Sequence, residues 1–408
     1  MRASLGRTFK AFSYRDYRLL WAGAFLSSVG TWMQKVAQSW LILDITKSSF
    51  YLGLDAFLGD LPFLAFSLFG GVLADRIDRR RILLGSQLVQ LTSAVILTVL
   101  VYKGVIPIWV ILVLSFVVGL AQSFGGPAYQ ALVPALVDKE DLPNAVALNS
   151  IQFNLARVIG PVLAGVAFYK LGAAACFGLN GLSFVAVIFA ILALKRGEMT
   201  AAAAKEPVLA SLRTGLAAVR DARALRGLVG LAFVGSFCAM PLVTFLPVFA
   251  KDIFLQDAKG YAGLLAAFGI GAVIGAVSVA GFVGQVKRKG TVAVAMQMSF
   301  GALLIAFALS KNLYLSYAIL FFSGACLMVV FALFMTLVQT NVDDAMRGRV
   351  VSVYTLAFRG AMPLGNLFAG LVSPLVTVPV ALMGNGLLLV MVGLTVLLRR
   401  NPDGVTKL

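Results

Sequence analysis

The chain alternates between long apolar stretches and short polar interruptions. Twelve stretches have the length of membrane-spanning helices, which need about 20 apolar residues each. They cover approximately 17–43, 48–70, 83–102, 108–130, 144–168, 173–194, 223–249, 260–284, 291–309, 314–338, 348–372 and 377–398. Most connections are short and contain turn residues, as at Lys103-Gly104 and Ser373-Pro374. The pattern predicts an all-α membrane protein with twelve transmembrane helices that run antiparallel to their sequence neighbours.

One longer polar interval, 195–222, divides these helices into two blocks of six. Apolar side chains recur at helical spacing in its second half, at Leu209, Leu212, Leu216 and Val219. Arg213 and Arg220 fall on other faces, which is typical of an amphipathic helix lying on the inner leaflet. The sequence predicts an N-terminal six-helix bundle over 1–194, a cytoplasmic linker with this helix, and a C-terminal bundle over 223–408.

The two blocks repeat short patterns. Arg157 and Pro161 in the fifth stretch match Arg359 and Pro363 in the eleventh, at the same spacing of four residues. The tripeptide Asn-Gly-Leu at 180–182 recurs at 385–387. Repeated halves are a common design of secondary transporters, so we expect two pseudo-symmetric bundles.

Composition supports a membrane protein, because 60% of the 408 residues are hydrophobic and only 12% are charged. The net charge of +17 is explained by the orientation of the chain in the membrane, since basic residues concentrate in the predicted cytoplasmic segments. The predicted external loops contain Lys47, Lys103, Lys170, Lys251, Lys259 and Lys311. This distribution argues against nucleic-acid binding and predicts that both termini are cytoplasmic.

The chemistry available to the chain is narrow. It has no histidine, and its three cysteines lie dispersed in apolar stretches, which argues against a metal site or a disulfide framework. No nucleotide-binding loop of the G-x-x-x-x-G-K-[ST] type is present. We therefore predict no enzyme activity, no metal and no cofactor, and any proton chemistry must use carboxylates.

Five ionisable residues fall deep within predicted spans: Asp55, Asp60, Lys35, Arg157 and Arg359. Such groups normally face a bundle interior or a water-filled cavity. One interpretation is a polar translocation path, and the other is a set of structural ion pairs. We favour the path for the two arginines, because each lies on a polar stripe at helical spacing. For Lys35 both interpretations stand, since it can also pair with Asp55 at a similar depth.

Asp60 is the best candidate for a proton carrier, with Asp55 as a second one. Burial raises the pKa of a carboxyl group and a nearby cation lowers it, so a site that alternates between such environments takes up and releases a proton. The two carboxylates are five residues apart and point about 140° from each other on a helix. Polar partners for a substrate are predicted at Gln34 and Gln38, and at Asn154 one turn before Arg157.

The loop at 70–81, which reads GGVLADRIDRRR, resembles the loop between helices 2 and 3 of the major facilitator superfamily. Gly71, Asp75, Arg76, Arg79 and Arg80 fall on the superfamily's pattern, roughly G-x-x-x-D-R-x-G-R-R. Asp78 stands where that pattern has its second glycine. The resemblance implies that Asp75 and Arg76 help to close the cytoplasmic side.

The element Gly160-Pro161-Val-Leu-Ala-Gly165 is similar to the G-P-x-x-G element of drug and metabolite antiporters in the same superfamily. Longer segments, such as FSYRDYRLLWAGAFLSS and MRGRVVSVYTLAFRGAMPLGN, resemble its enterobactin-exporter and macrolide-efflux branch. The resemblance implies alternating access, proton-coupled export, a place in a bacterial inner membrane, and helix movement at Gly160-Pro161. Many antiporters carry an arginine where this chain has Ser115, so a relay through that arginine is absent.

The sequence thus predicts a proton-coupled exporter of small amphipathic molecules such as drugs, siderophores or acidic metabolites, working as a monomer in the lipid bilayer. Two other functions stay open. A lipid or lysophospholipid flippase of the same fold predicts phospholipid-like substrates. A non-transporting membrane receptor predicts tight binding without flux, and the mid-depth charges disfavour it.

Overall fold

The structure is a computed structural model that describes residues 9–76, 78–195, 208–282 and 288–398. The side chains of 67–76, 208, 209, 211, 280 and 282 lie outside this description. The described helices are α1 (Arg15–Thr46), α2 (Ser49–Arg76), α3 (Arg79–Tyr102), α4 (Ile108–Leu132), α5 (Leu142–Leu192), α6 (Val208–Asp221), α7 (Arg223–Val248), α8 (Ala258–Phe282), α9 (Lys289–Leu309), α10 (Leu313–Thr340), α11 (Asp344–Val376) and α12 (Val378–Leu398).

Helix α5 accounts for two of the predicted spans. Its 51 residues are broken at Gly172, where φ is 79° and ψ is 177°. Only glycine adopts this backbone conformation readily, so the chain turns there without steric strain. The two parts correspond to the predicted stretches 144–168 and 173–194.

The twelve predicted spans are present as helices in the described part of the chain. Nine helices there are long and apolar enough to cross a membrane, and α5, which is one of them, provides two spans. The other two spans are α1 and α11, which have 32 and 33 residues and carry charged side chains along their length.

The chain divides into two compact units. Unit 1 comprises Met1–Leu41 and Leu58–Lys205, and unit 2 comprises Ile42–Phe57 and Glu206–Leu408. The hairpin 42–57, which lies inside the predicted N-terminal block, therefore groups with unit 2.

Unit 1 packs α3 against both α4 and α5. A cluster of buried side chains in this unit contains Tyr17, Leu20, Leu83, Leu132, Leu136 and Phe184. Because lipid tails are as apolar as leucine, helices in a membrane associate by close packing and by polar contacts rather than by escape from water. The polar contacts therefore decide much of the arrangement within the unit.

Unit 2 pairs α8 with α10, α9 with α12, and α7 with α11. The amphipathic helix α6 packs against α11 as well. Val219 on α6 is buried at 5% exposure, within a cluster that also contains Val350 and Val353 of α11. Protein thus covers Val219 on the predicted apolar face, whereas Leu216 of the same face is 59% exposed.

A short segment before α1 is fixed to the connection between α4 and α5. The backbone N–H of Ala11 donates to Asn144 Oδ1 at 2.9 Å, and Ala11 is fully buried. Tyr14 donates from its hydroxyl group to Asp141 Oδ2 at 2.8 Å. Lys10 Nζ lies 2.9 Å from Asp141 Oδ1. Asp141 thus holds the segment through two partners.

These contacts shift the pKa of each partner. The hydrogen bond from Lys10, followed by that from Tyr14, lowers the pKa of Asp141. Hydrogen bonding to Asp141 and Asp138 raises the pKa of Tyr14 to about 12. The stability that Asp141 contributes to the docked segment is complete above its ordinary pKa of 3.8 and is lost as pH falls through the lowered pKa. The stability that Tyr14 contributes is complete below its ordinary pKa of 10.0 and is lost as pH rises through the raised pKa of about 12.

We therefore expect the segment to stay docked across neutral pH and to detach in acid. Hydrogen exchange of the Ala11 amide, corrected for its intrinsic pH dependence, should show constant protection in the wild type from pH 5 to pH 9 and reduced protection well below pH 3.8. In Asp141→Asn, protection should be lower than that of the neutral wild type at all pH values. Protection in Asp141→Asn equal to that of the wild type would show that the carboxylate does not hold the segment.

Candidate functional site

Helices α1 and α5 approach each other closely at Gly160. A Cβ atom at this position would collide with Trp32 Cβ and with the carbonyl oxygen of Val29, so only glycine allows the contact. Pro161 follows within the helix and is buried. Proline removes a backbone hydrogen bond, which allows a helix to bend. The predicted Gly160-Pro161 element is therefore the place where α5 meets α1.

Two cations flank the indole ring of Trp32 beside this contact. Lys35 Nζ lies 5.1 Å from the ring centroid, and Arg157 Cζ lies 5.2 Å from it. Within the described part of unit 1, neither cation forms an ion pair with a carboxylate. Cation–π contacts contribute about 0.5–1 kcal/mol for an exposed cation such as Lys35 and about 2 kcal/mol for a desolvated one. They do not neutralise the positive charge of either side chain.

The predicted polar side chains of α1 bond to neighbouring helices. Asn180 Nδ2 donates to Gln34 Oε1 at 2.7 Å, which joins α5 to α1. Gln38 Nε2 donates to Ser115 Oγ at 2.9 Å, which joins α1 to α4. Asn154 donates to the carbonyl oxygen of Ser150 within its own helix, at 2.8 Å. Two of these three bonds thus join α1 to neighbouring helices within six residues of Trp32, which with Lys35 and Arg157 forms the Trp32 cluster.

Asp60 lies on α2 with an exposed side chain. The residue before Asp60, Gly59, is in close contact with α4: a Cβ atom at Gly119 of α4 would collide with the carbonyl oxygen of Gly59. Asp55 is half-buried and belongs to the hairpin 42–57 of unit 2. The two candidate proton carriers therefore lie in different units.

Unit 2 repeats part of this arrangement. A Cβ atom at Gly365 of α11 would collide with the carbonyl oxygen of Phe237 of α7, so glycine allows these two helices to approach closely. Gly160 does the same for α5 and α1. Asn385 Nδ2 donates to the carbonyl oxygen of Cys238 at 3.4 Å, in the way that Asn180 bonds to α1. Arg359, the predicted counterpart of Arg157, is exposed on α11. The asparagine repeat thus corresponds to a repeated contact between helices, whereas Gly365 lies three residues beyond Met362, the position that matches Gly160.

The basic loop joins helix ends in unit 1. Arg79 Nη1 donates to the carbonyl oxygen of Ala131 at 2.9 Å, near the end of α4. Arg80 Nη2 donates to the carbonyl oxygen of Leu192 at 2.8 Å, at the end of α5. The last carbonyl groups of a helix have no partner within it, and cations stabilise them. The two arginines therefore fix the start of α3 to the ends of α4 and α5.

Asp78, the departure from the superfamily pattern, caps α3. Its Oδ1 accepts a hydrogen bond from the backbone N–H of Arg80 at 2.9 Å. The sequence interpretation missed this role, although an aspartate directly before a helix is an ordinary start signal. The side chains of 67–77 lie outside the described residues, so the gating roles of Gly71, Asp75 and Arg76 stay predictions.

The shared contact of Lys35 and Arg157 with Trp32 was also missed. The spacing of three residues between Trp32 and Lys35 places both on one helix face and signals half of the cluster. The arrival of Arg157 depends on how α5 crosses α1, which no local pattern encodes. Across the part of the chain that the structure describes, no group of three His, Cys, Asp or Glu side chains is arranged to hold a metal ion.

Comparison with known proteins gives a family match over nearly the whole chain. The sequence profile of a family described as transmembrane secretion effector matches residues 7–406. A macrolide efflux protein of Streptococcus pyogenes is 23% identical over 88% of this chain and 90% of its own length. An enterobactin exporter of Salmonella typhimurium is 27% identical over 98% of this chain and 94% of its own length. A staphyloferrin A transporter of Staphylococcus aureus is 26% identical over 86% and 87%, respectively.

Solved structures of transporters share the fold. A bacterial homologue of the human lysosomal transporter Spinster, in an inward-facing and unoccupied conformation, gives a TM-score of 0.75 at 12% identity, over 93% of this chain and 96% of that one. The nucleoside transporter NupG gives a TM-score of 0.74 at 12% identity, over 93% of this chain and 98% of that one. At these identities the likeness establishes the fold alone.

The cap at Asp78 can be tested by three substitutions with thermal unfolding in detergent. Asp78→Ala should destabilise the protein by about 1 kcal/mol, whereas Asp78→Gly should cost only a few tenths. Asp78→Asn is the matched control, because it removes the charge and keeps a capping oxygen. If Asp78→Asn is as harmful as Asp78→Ala, the charge of the loop and not the cap is what matters.

Proposed function

Because the chain belongs to the transmembrane secretion effector family of the major facilitator superfamily, we propose that it exports small amphipathic molecules by proton-coupled antiport with alternating access. The predicted fold class, two pseudo-symmetric bundles of six helices, is confirmed. The chain is a multi-pass membrane transporter and not an enzyme. One observation carries the direction of transport: relatives that cover most of the chain are named as efflux proteins or exporters.

The coupling ion in this proposal is the proton, and Asp60 carries it. A carboxylate that faces acyl chains is costly, so the exposed side chain of Asp60 in an apolar helix is expected to face a water-filled path. The contact of Gly59 with Gly119 holds this part of α2 against α4. Asp55 is the second proton site in the proposal.

The substrate path in unit 1 runs beside the Trp32 cluster. Lys35 and Arg157 supply positive charge that no carboxylate of the described unit 1 cancels, so they favour substrates with carboxylate, catecholate or carbonyl oxygens. Gln34 and Gln38 bond to neighbouring helices within six residues of Trp32. Arg359 serves as the corresponding cation of unit 2, and Asn154 lies one turn before Arg157 along α5.

Movement and gating use the two motifs. Gly160-Pro161 provides a flexible point where α5 meets α1. Arg79 and Arg80 hold helix ends together on the side where the proposal places the cytoplasm, and Gly71, Asp75 and Arg76 complete that gate. In this proposal the transporter works as a monomer in a bacterial inner membrane, with both termini in the cytoplasm.

Proteoliposomes with an internal pH-sensitive dye test the coupling. Substrate gradients from a panel of dyes, siderophores, acidic metabolites and lysolipids should drive proton movement in the wild type. Asp60→Asn should abolish this proton movement, because an amide does not titrate in this range. Asp344→Asn is the control, since that side chain is 87% exposed in the first turn of α11.

Two results would contradict this assignment. Unchanged proton movement in Asp60→Asn would place the coupling site elsewhere. Transport of lysolipids alone, without proton movement in the wild type, would make the flippase the leading function.

The Trp32 cluster predicts a charge preference. Arg157→Gln should raise KM for an anionic substrate by about tenfold or more, the usual range for a lost charge-assisted hydrogen bond. It should change KM for a neutral substrate much less. Lys170→Gln, which removes an exposed cation near the other end of this part of α5, is the control. An equal loss for anionic and neutral substrates would assign Arg157 a structural role.

A further inference from the structure

Helix α6 presents two different faces. One face packs on α11, where a Cβ atom at Gly215 would collide with the carbonyl group of Arg349 and where Val219 is buried. The next face carries Arg213, Leu216 and Arg220. Positions three and seven residues apart lie within about 60° of each other around a helix, so these three side chains form one stripe.

This stripe is not covered by the described protein. Leu216 is 59% exposed, and Arg213 and Arg220 are exposed on either side of it along the helix. A leucine between two arginines is a common arrangement at a membrane surface, where the apolar side chain enters the interface and the cations reach the headgroups.

The charge of the stripe is mostly uncancelled. Arg213 forms no ion pair with any residue in the described part of the chain. Arg220 contacts Asp221 through its Nε atom at 3.2 Å, and this pair is exposed on both sides. An exposed pair contributes little, and the terminal N–H groups of Arg220 stay available for another acceptor.

Helix α6 lies beside the starts of the membrane-spanning helices α7 and α11, so the stripe is close to the membrane surface. Only Ala222 separates α6 from Arg223, where the membrane helix α7 begins. The contact with α11 fixes the rotation of α6, so the stripe cannot turn towards the protein without breaking the packing at Gly215 and Val219.

We propose that the Arg213–Leu216–Arg220 stripe binds the phosphate headgroup of an acidic phospholipid in the cytoplasmic leaflet. The two guanidinium groups bind the phosphate oxygens, and Leu216 enters the acyl boundary. Because α6 packs on α11, the bound lipid stabilises the cytoplasmic end of unit 2. This site is separate from the substrate path and does not depend on the identity of the cargo or of the coupling ion.

Lipid titrations of the purified full-length transporter in detergent test the site. The probes are phosphatidylglycerol and phosphatidylcholine, and the readouts are bound lipid by native mass spectrometry and the unfolding midpoint. A basic residue near an acidic membrane surface contributes about fivefold in affinity. Arg213→Gln/Arg220→Gln should therefore weaken phosphatidylglycerol binding by about 25-fold. It should weaken phosphatidylcholine binding much less, because choline balances the phosphate charge of that lipid.

Two further variants make the result specific. Lys103→Gln/Lys311→Gln removes the same charge from exposed residues in the predicted external loops and should retain phosphatidylglycerol binding. Leu216→Ser should weaken phosphatidylglycerol binding, because it removes the side chain that enters the acyl boundary. In the wild type, free glycerol phosphate should fail to compete with phosphatidylglycerol, because it has no acyl chains. Full phosphatidylglycerol binding by the double arginine variant, or equal loss in the double lysine variant, would overturn the proposal.

Discussion

Uncompensated charge at membrane depth is the constraint on which the arrangement of unit 1 depends. A charged side chain in the middle of a bilayer costs about 2.5–3.5 kcal/mol even on a lenient scale. Arg157 and Lys35 meet this cost partly through the ring of Trp32, and Arg157 reaches the ring only because Gly160 lets α5 approach α1. Partial compensation keeps the helices together and, in the proposed function, leaves positive charge for a ligand.

Charged side chains also stabilise the helix ends in unit 1. Arg79 and Arg80 neutralise the carbonyl ends of α4 and α5, while Asp78 satisfies the amide start of α3. One short loop thus connects three helix termini with three charged side chains. In the proposed function these contacts form a gate, and opening it requires several hydrogen bonds to break together, which suits a switch between two discrete states.

The sequence predicted the parts of the fold that depend on local patterns. Hydrophobic length located the spans. Gly160-Pro161 was predicted as a point of helix movement, which stays a prediction, and the structure shows that Gly160 contacts α1 closely. Periodicity was less informative for α6, because an apolar face has the same pattern whether lipid or protein covers it. Leu216 and Val219 differ by three positions, yet α11 buries Val219 and leaves Leu216 exposed. The meeting of Arg157 with Trp32 depends on helix crossing, which has no local signature.

The central claim is that the Trp32 cluster binds substrate. The most direct measurement is the fluorescence of Trp32 in a variant whose other three tryptophans, Trp21, Trp40 and Trp109, are replaced by phenylalanine. An anionic substrate should draw Lys35 and Arg157 away from the ring and change the emission in a saturable way, at concentrations that match transport. Active transport of the same substrate without any change in Trp32 emission would contradict the account.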